Sequence, residues 1–595
     1  MTDSSTTAVS PPRFALGDGQ AAFASACDRA RDESWATRLF DRDSSLWSSD
    51  PDVREAIGDR LGWLEAPTHF ADRIPVLEGF GDGIVEAGFT TAVVAGMGGS
   101  SLAPDVLHRT FGSQDGYLAL RILDSTDPAY VSAITDDLDP LYTLTIVASK
   151  SGTTTEPNAF LADAWTRAEA AMAAIKHHHS YDNGGATIVA VTDPGKSVAA
   201  LAHSADFREV FLNPPDIGGR YSALTYVGLV PASLIGLDLD ALLASASTML
   251  GACHQPDPSA NPGVSLGLAI GTLAKAGRDK LTFLIDDELA SFGGWLEQLI
   301  AESTGKHGVG IVPVDLEPLG AAGAYGADRT FVRIALVDGT AGGRDVLTKA
   351  LAEAGHPVIR ITVNDPIDLG AEFVRWEVAT AIAGAVLGID PFDQPNVEEA
   401  KELTRTVLAR HEDGGSADDT PAPTPIAEGD GLTLYGDGAL RSSAHGGVIG
   451  VLADHLGRRR ADGYLALQAF IAPTPEGDAA MGRIRALLRD RTGLATTAGY
   501  GPRFLHSTGQ LHKGGAPIGW FLQMTSEHPV DREIPGWPYT FGQLIDAQAA
   551  GDLAAIESHD LPILRVHLGR DLEGGLAALE RALAAALDAT PLTEA

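Results

Sequence analysis

The sequence has very little cysteine, with only Cys27 and Cys253 among its 595 residues. Two cysteines exclude a disulfide scaffold and a cysteine-based metal site, and so low a content is typical of a reducing compartment. Basic residues are also scarce, because 43 Lys and Arg stand against 79 Asp and Glu, a formal net charge of −36. Nucleic acids and anionic membranes attract basic surfaces, so neither is an expected partner.

Long apolar runs are missing as well. The most apolar stretches, Thr225–Gly236 and Ala381–Ile389, are well short of the ~20 residues that a membrane-spanning helix needs. The first residues, Met1–Phe14, lack the apolar core of a secretory signal. These features predict a cytoplasmic protein, and the length predicts roughly two to four domains.

Short apolar runs alternate with helical patterns along most of the chain, which is typical of parallel α/β sheets covered on both sides. Residues 411–430 have almost no bulky apolar side chains and several Pro, Gly and Asp, so they predict a linker. The predicted organisation is an N-terminal helical segment (1–74), a first α/β domain (75–240), a second α/β domain (241–410), the linker (411–430) and a C-terminal α/β domain (431–595).

A glycine-rich turn follows the first predicted strand, Thr91–Ala95. It reads Gly96–Ser101 (GMGGSS) and precedes a predicted helix over Leu102–Phe111. Glycine allows a tight turn and close approach of a ligand, and the N–H groups of a helix start attract anions. A dinucleotide-binding turn is the rival interpretation and would predict an NAD-dependent dehydrogenase, but it needs a third glycine where this chain has Ser101.

A hydroxyl-rich turn, Ser149–Glu156 (SKSGTTTE), follows the third predicted strand. A helix cap needs only one of these hydroxyl groups, whereas a dianionic phosphate needs many donors. The turn therefore predicts a phosphate site, near Ser100 if the two strands are neighbours. Because the chain is acidic overall, Lys150 and the two helix N-termini would have to make the site locally positive.

Arg220 follows two glycines at the start of a predicted helix, Ala223–Leu234, with Ser222 as its N-cap. A cation at a helix N-terminus is electrostatically unfavourable unless it is solvated or faces a negative ligand. Glu302 lies in the last turn of another predicted helix, Trp295–Ser303, where an ordinary ion pair with Lys306 is the alternative to a functional role.

Two further segments carry candidate residues. In Phe392–Asn396 (FDQPN), Gln394 precedes a helix whose start predicts a capping box between Asn396 and Glu399, with Lys401 in the second turn. A surface lysine is the default interpretation of Lys401. His506 begins the turn HSTGQ in the C-terminal block, where a structural histidine and a proton shuttle are both open interpretations.

Together these segments resemble phosphoglucose isomerase (glucose-6-phosphate isomerase), and within that family the isomerase half of bacterial transaldolase–phosphoglucose isomerase fusions. The resemblance implies an α/β fold with two sugar-isomerase (SIS) doubly wound parallel-sheet domains, here followed by a C-terminal α/β domain. The matching motifs are Gly96–Pro104 (GMGGSSLAP), Ser149–Glu156 (SKSGTTTE), Gly218–Ser222 (GGRYS), Glu302–Lys306 (ESTGK) and Pro391–Lys401 (PFDQPNVEEAK).

The resemblance also implies roles. Glu302 would be the catalytic base, Arg220 would stabilise the intermediate, and Lys401 would lie near the ring oxygen of the sugar. His506 is the candidate for the ring-opening histidine, although it follows Lys401 where the family has its histidine earlier. The substrate-binding residues implied for the sugar phosphate are Gly99, Ser100, Ser149, Lys150, Ser151, Thr153, Thr154 and Gln394.

The implied reaction needs no metal and no cofactor, and the implied partner is a sugar phosphate. In family dimers the histidine comes from the neighbouring subunit. Here the C-terminal block would bring it to the site, and whether it does so in the same chain or across a homodimer stays open. Two alternatives stay open besides the dehydrogenase. A phosphomannose or dual-specificity isomerase would use the same residues. A non-catalytic SIS sugar-phosphate sensor would keep the Ser149–Thr154 turn without needing Glu302, Arg220 and Lys401 together.

Overall fold

The computed structural model describes residues 11–174, 183–412, 424–442 and 446–589, so most of the predicted linker, at 413–423, lies outside the described residues. The strands are β1 Arg13–Ala15, β2 Thr91–Gly96, β3 Ala119–Leu123, β4 Thr143–Ala148, β5 Ile188–Thr192, β6 Glu209–Leu212, β7 Lys280–Ile285, β8 Val312–Val314, β9 Arg329–Leu336, β10 Val358–Val363, β11 Ala427–Gly429, β12 Leu432–Tyr435, β13 Tyr464–Phe470, β14 Ala495–Tyr500, β15 Gly519–Thr525 and β16 Ile563–His567.

The helices cover both short and long stretches of the chain. They are α1 Gln20–Asp32, α2 Trp35–Phe40, α3 Pro51–Gly58, α4 Ala66–Ala71, α5 Ile74–Glu86, α6 Gly99–Phe111, α7 Pro128–Thr135, α8 Thr155–Ala174, α9 Lys196–Ala200, α10 Tyr226–Leu234, α11 Leu239–Cys253, α12 Pro262–Lys275, α13 Phe292–Thr304, α14 Arg344–Glu353, α15 Leu369–Leu387, α16 Val397–Glu412, α17 Gly438–Ser442, α18 Gly447–Gly457, α19 Pro475–Thr492, α20 Gly509–Gly514, α21 Phe541–Ser558 and α22 Leu572–Ala589. Within the described ranges, none of them is both long and apolar enough to cross a bilayer.

The chain forms two compact units, each assembled from several stretches of sequence. Of the described residues, unit 1 contains those up to 124 and those within 137–304 and 330–393. Unit 2 contains 125–136, 305–329 and the described residues from 394 onward. The α/β class is confirmed, because both units contain parallel strands joined through helices.

The first sheet of unit 1 has the strand order β3–β2–β4–β5–β6, and all of its neighbouring strands run parallel. Every residue of β2, β4 and β5 is buried, as expected for strands covered on both faces by helices. Strands β2 and β4 are direct neighbours, with Gly96 opposite Ala148. The turns that follow them therefore leave the sheet side by side at its carboxyl edge.

The second sheet of unit 1 contains β1, β10, β9 and β7 in that order. Strand β1 runs antiparallel to β10, while β10 and β9 are parallel. Helix α15 is buried on all sides over Leu369–Gly384 and packs on α11, α12 and α13. Because α13 is fixed by this helix layer, its C-terminal end has a defined position in unit 1.

The sheet of unit 2 has the order β11–β12–β16–β15–β13–β14, of which β16, β15, β13 and β14 are parallel. The apolar runs 463–471 and 563–568 in the sequence predict strands of this block, and β13 and β16 confirm them. Strands β14 and β15 were not predicted. The sequence of β14 (ATTAGY) is small and polar, which is not typical of a buried strand, whereas the aromatic run of β15 (GWFLQMT) is typical of one and was overlooked.

His455 lies buried in the core of unit 2, and its burial predicts that the free energy of unfolding depends on pH. Its Nε2 is 2.9 Å from the carbonyl oxygen of Phe521, and Trp520 donates to the His455 carbonyl. Burial lowers the pKa of His455 from 6.5 to about 3. Below pH 6.5 the imidazole is therefore protonated in the unfolded chain but stays neutral in the folded protein. The free energy of unfolding consequently falls as the pH drops from 6.5 toward 3.

Through His455, the free energy of unfolding is expected to decrease by about 2 kcal/mol between pH 7 and pH 5, because each pH unit below 6.5 lowers it by ~1.4 kcal/mol. His455→Gln keeps an N–H donor but cannot titrate, so its stability should fall by about 2 kcal/mol less over that range. Urea titrations at the two pH values measure the difference, with His203→Gln at an exposed position as the control. Equal losses in wild type and His455→Gln would contradict the prediction.

Candidate functional site

The glycine turn after β2 brings two segments of unit 1 into backbone contact. Gly98, with φ +54°, precedes the first residue of α6, Gly99. A Cβ on Gly99 would lie 2.1 Å from the carbonyl oxygen of Gly219 and 3.0 Å from the backbone nitrogen of Arg220. Only glycine allows this approach, so the start of α6 and the loop that carries Arg220 are fixed against each other.

The hydroxyl turn after β4 is held by bonds within the turn and by the helix that follows it. The Ser149 hydroxyl donates to Thr154 Oγ1 at 3.1 Å, and the hydroxyls of Ser151 and Thr153 are 2.9 Å apart. Asn158 of α8 donates through Nδ2 to the Thr154 carbonyl at 2.9 Å and to a second carbonyl of the turn at 3.0 Å. The hydroxyl groups are thus presented in a fixed arrangement at the N-terminus of α8, which favours anions.

Lys150 points to a carboxylate beside this turn. Its Nζ is 2.6 Å from Asp193 Oδ2 and 2.8 Å from the Pro215 carbonyl oxygen. Burial raises the pKa of the Asp193 carboxyl, and Lys150 opposes that rise. Since Asp193 offsets the lysine charge, the N-termini of α6 and α8 remain as the positive ends that face the carboxyl edge of the sheet.

Arg220 is 2 % exposed, and its guanidinium lies among acceptors of unit 1. Nη1 donates to Glu302 Oε1 at 3.0 Å, and Nε donates to the Ser303 hydroxyl at 2.8 Å. Nη2 donates to the carbonyl oxygens of Pro391 at 2.7 Å and Asp393 at 2.9 Å. A planar guanidinium can satisfy acceptors in several directions at once, which a lysine ammonium cannot do in this geometry.

Glu302 lies in the last turn of α13 and is buried, at 9 % exposure. Its Oε1 accepts from Arg220, and its Oε2 accepts from Gln298 Nε2 at 3.0 Å. Gln298 is one helical turn earlier on the same face of α13. The two predicted residues Arg220 and Glu302 are therefore in direct contact, and the carboxylate is oriented through both of its oxygens.

The predicted N-cap Ser222 is wrong. The helix begins at Tyr226, and Thr225 is the residue whose side chain accepts from a backbone N–H of its first turn. Ser222 instead donates to the Gly219 carbonyl at 2.6 Å and closes the 3-10 turn that contains Arg220. The serine thus stabilises the arginine loop and not the helix.

Gln394, Lys401 and His506 belong to unit 2. Lys401 lies in α16, Gln394 precedes that helix, and His506 ends a short 3-10 turn before α20. The predicted capping box of α16 is wrong. The backbone N–H of Asn396 donates to Gln510 Oε1, while the carboxylate of Glu399 binds Ser558 and His559.

The sequence-based prediction missed the residues that orient the predicted ones. Gln298 and Ser303 could have been found, because Gln298 lies one helical turn before Glu302 and Ser303 directly follows it. Asn158, four residues after Thr154 in the chain, was also within reach of sequence reasoning, whereas Asp193 carried no comparable signal because its partner Lys150 lies on another loop. These four residues hold Glu302, Arg220, the hydroxyl turn and Lys150, respectively.

Comparison with known proteins gives a consistent result. A family model described as phosphoglucose isomerase matches residues 68–335. A glucose-6-phosphate isomerase of Rubrobacter xylanophilus is 30% identical over 417 residues, which are 60% of this chain and 93% of that protein. One from Heliobacterium modesticaldum is 30% identical over 402 residues, or 59% of this chain and 87% of that protein.

Among solved structures, a hypothetical protein of Thermus thermophilus is similar, with 25% identity and a TM-score of 0.54. The similarity covers 67% of this chain and 100% of that one. The likeness thus extends over the whole of the smaller protein.

Proposed function

Because this chain belongs to the phosphoglucose isomerase family, it is an aldose–ketose isomerase that interconverts glucose 6-phosphate and fructose 6-phosphate, and we propose that Glu302 is its catalytic base. The observation that carries the proposal is the contact between Glu302 and Arg220. The buried carboxylate is held at both oxygens and can accept a proton. The buried guanidinium beside it can stabilise negative charge, so the two functions lie next to each other.

The reaction explains why both groups are needed. Moving a carbonyl between carbons 1 and 2 requires removal of a proton next to the carbonyl, and that C–H is a very weak acid at neutral pH. A positioned base removes the proton, and positive charge stabilises the enediolate that forms. Glu302 takes the proton from one carbon and returns it to the other, while Arg220 stabilises the developing oxyanion.

The phosphate of the substrate is proposed to bind the turn Ser149–Thr154 and the start of α6 at Gly99 and Ser100. The two turns follow neighbouring strands, and each is continuous with a helix N-terminus. Hydroxyl and backbone donors at helix N-termini suit a dianion. Phosphate binding there would fix the sugar relative to the base and contribute orientation.

The ring-opening residues are proposed from the motifs alone. His506 and Lys401 would move the protons that open the cyclic sugar, and Gln394 would contact the phosphate. A homodimer and a cytoplasmic setting are part of the same proposal. A chain ending at Arg410 is a poor test of His506, since it also removes the partners of residues 125–136 and 305–329 within unit 2. His506→Gln is the cleaner variant.

A substitution at Gly99 is expected to impair the site without touching a catalytic side chain. Gly99→Ala would place a Cβ 2.1 Å from a backbone oxygen, so the Arg220 loop must move. A displacement on the order of 1 Å is expected to lower kcat roughly 10²-fold. Steady-state kinetics measure the effect, with Gly79→Ala, where a Cβ meets nothing within 4 Å, as the matched control. Unchanged kcat in Gly99→Ala would contradict this role of the glycine.

The function is tested by a coupled assay in which fructose 6-phosphate is converted to glucose 6-phosphate without added metal. Turnover is expected with these substrates, and parallel assays with mannose 6-phosphate distinguish a dual-specificity isomerase. Binding of fructose 6-phosphate without turnover would instead indicate a sugar-phosphate sensor.

A further inference from the structure

Three segments of unit 2 meet at one buried side-chain amide, that of Gln510 in α20. Gln510 is 0 % exposed. Its Oε1 accepts from the backbone N–H of Asn396 at 2.9 Å, and its Nε2 donates to Asn396 Oδ1 at 2.9 Å. The same Nε2 donates to the Gly305 carbonyl oxygen at 2.9 Å. The amide therefore uses its acceptor and both of its donor hydrogens on two other segments of the chain.

Two of these segments carry residues of the proposed mechanism, because Asn396 lies between Gln394 and Lys401 and Gln510 is four residues after His506. The third segment begins with Gly305 and Lys306, which follow Glu302 in the ESTGK motif, although Glu302 itself belongs to unit 1. The bonds of Gln510 thus fix the segment of His506 against the segment of Lys401. That fixing matters in this chain because the histidine follows the lysine in sequence, so no short connection sets their spacing.

Glycines allow the segments to approach this closely. A Cβ on Gly514 would lie 2.5 Å from Asn396 Oδ1, 2.6 Å from Gln510 Nε2 and 2.8 Å from the Gly305 oxygen. A Cβ on Gly305 would lie 2.4 Å from the Cα of Leu511. The Gly308 N–H also donates to the Gly514 carbonyl at 3.0 Å. The backbone of α20 therefore packs directly on the backbone of Gly305 and Gly308 around the amide.

We propose that Gln510 is a positioning residue that sets the spacing between His506 and the Gln394–Lys401 segment, and so controls ring opening. The inference rests on the proposed roles of His506 and Lys401. A simple helix cap is a weaker explanation, because capping Asn396 uses only the acceptor of the amide. Gln510 also donates to the Gly305 carbonyl and so binds a third segment, a bond that capping of α16 does not require.

Ring opening can be measured apart from isomerisation. When the ring opens, the C1–O5 bond breaks, the O1 hydroxyl loses its proton to a base, O5 gains a proton and C1 becomes the aldehyde carbon. Reclosure on the other face of C1 gives the other anomer, with no proton removed from carbon 2. Exchange between the α and β anomers of glucose 6-phosphate, followed by NMR, therefore reports ring opening even when Glu302→Gln blocks isomerisation.

In the Glu302→Gln background, Gln510→Ala is expected to lower the catalysed anomer exchange by roughly 10- to 100-fold, because the positioning of catalytic groups is lost. His506→Gln in the same background should cause a loss of similar or greater size. Gln543→Ala removes another partly buried amide of unit 2, which accepts from the Thr540 N–H, and should leave the exchange unchanged.

A second variant separates positioning from general destabilisation. Gln510→Glu has the same shape, but an ionised carboxylate cannot donate to Gly305 or Asn396, whereas a protonated carboxyl regains one donor. Its deficit in anomer exchange should therefore shrink as the pH is lowered from 8 to 6, relative to the Glu302→Gln parent. Each exchange rate is divided by the folded fraction measured at the same pH, so a role in stability alone would give no such pH dependence of the corrected rate.

The outcomes separate the inference from the proposed function. If wild type isomerises and Glu302→Gln exchanges anomers, but Gln510→Ala and Gln510→Glu exchange them at the parental rate, the role of Gln510 is wrong and the function stands. If His506→Gln leaves anomer exchange unchanged, the ring-opening assignment fails and this inference fails with it. Absence of wild-type isomerisation would overturn the function itself.

Discussion

Replacing Glu302 with Gln is expected to lower kcat by about 10²–10⁴-fold, the usual contribution of a positioned general base. Glutamine keeps the volume of the side chain and an oxygen that can accept from Arg220 Nη1, so the local structure should persist. It cannot take a proton from the sugar at neutral pH. Binding of fructose 6-phosphate should therefore survive while turnover is lost, which kinetics and calorimetry can measure side by side.

The matched control for Glu302→Gln is Glu372→Gln. Glu372 is also buried in a helix of unit 1, where it accepts from Arg375. Loss of that carboxylate charge tests the general effect of neutralising a buried, arginine-paired glutamate. We expect a change in stability with little change in kcat. Appreciable turnover in Glu302→Gln, at a tenth of wild type or more, would remove Glu302 from the role of base.

Replacing Arg220 with Lys is expected to lower kcat by about 10²–10³-fold, the typical loss when one donor to a developing oxyanion is removed. The charge is retained, but an ammonium cannot reproduce the planar donor arrangement that meets Glu302, Ser303 and two carbonyl oxygens. Buried acceptors would be left without donors, so the melting temperature should fall as well.

Arg375→Lys provides the control for Arg220→Lys, because it breaks a buried arginine–carboxylate pair of the same unit. The two variants should lose comparable stability, while only Arg220→Lys should lose most of its kcat. Retention of kcat within about threefold in Arg220→Lys, set against the 10²-fold losses seen for oxyanion donors, would contradict the proposed stabilisation of the enediolate.

The sequence was sufficient to predict the α/β class and the strands of the first sheet, since buried parallel strands read as short apolar runs between turns. Strand β2 is one residue longer than predicted, and β4 lies within the apolar run Leu141–Ser149 that predicts it. The turns after β2 and β4 were also expected to lie side by side if these strands were neighbours, and the pairing of Gly96 with Ala148 confirms it.

Contacts between distant loops could not be predicted in the same way. The basic side chain of Lys150 in a hydroxyl-rich turn predicted a phosphate ligand. Its ammonium binds Asp193, 43 residues further along the chain. Asn396 and Glu399 had the spacing of a capping box, but Gln510, 114 residues after Asn396, binds the backbone N–H that Glu399 would have accepted. In each case a partner distant in sequence makes the bond. Local spacing contains no information about such a partner.

The central claim, a proton transfer through an enediolate with Glu302 as base, is tested most directly by isomerisation in D₂O. A carboxylate that carries the proton between carbons exchanges it with solvent, so after many turnovers deuterium should appear at carbon 1 of fructose 6-phosphate and carbon 2 of glucose 6-phosphate. Glu302→Gln should incorporate none on the same timescale. Complete equilibration of the two sugars without deuterium, or wild-type labelling by Glu302→Gln, would contradict the claim.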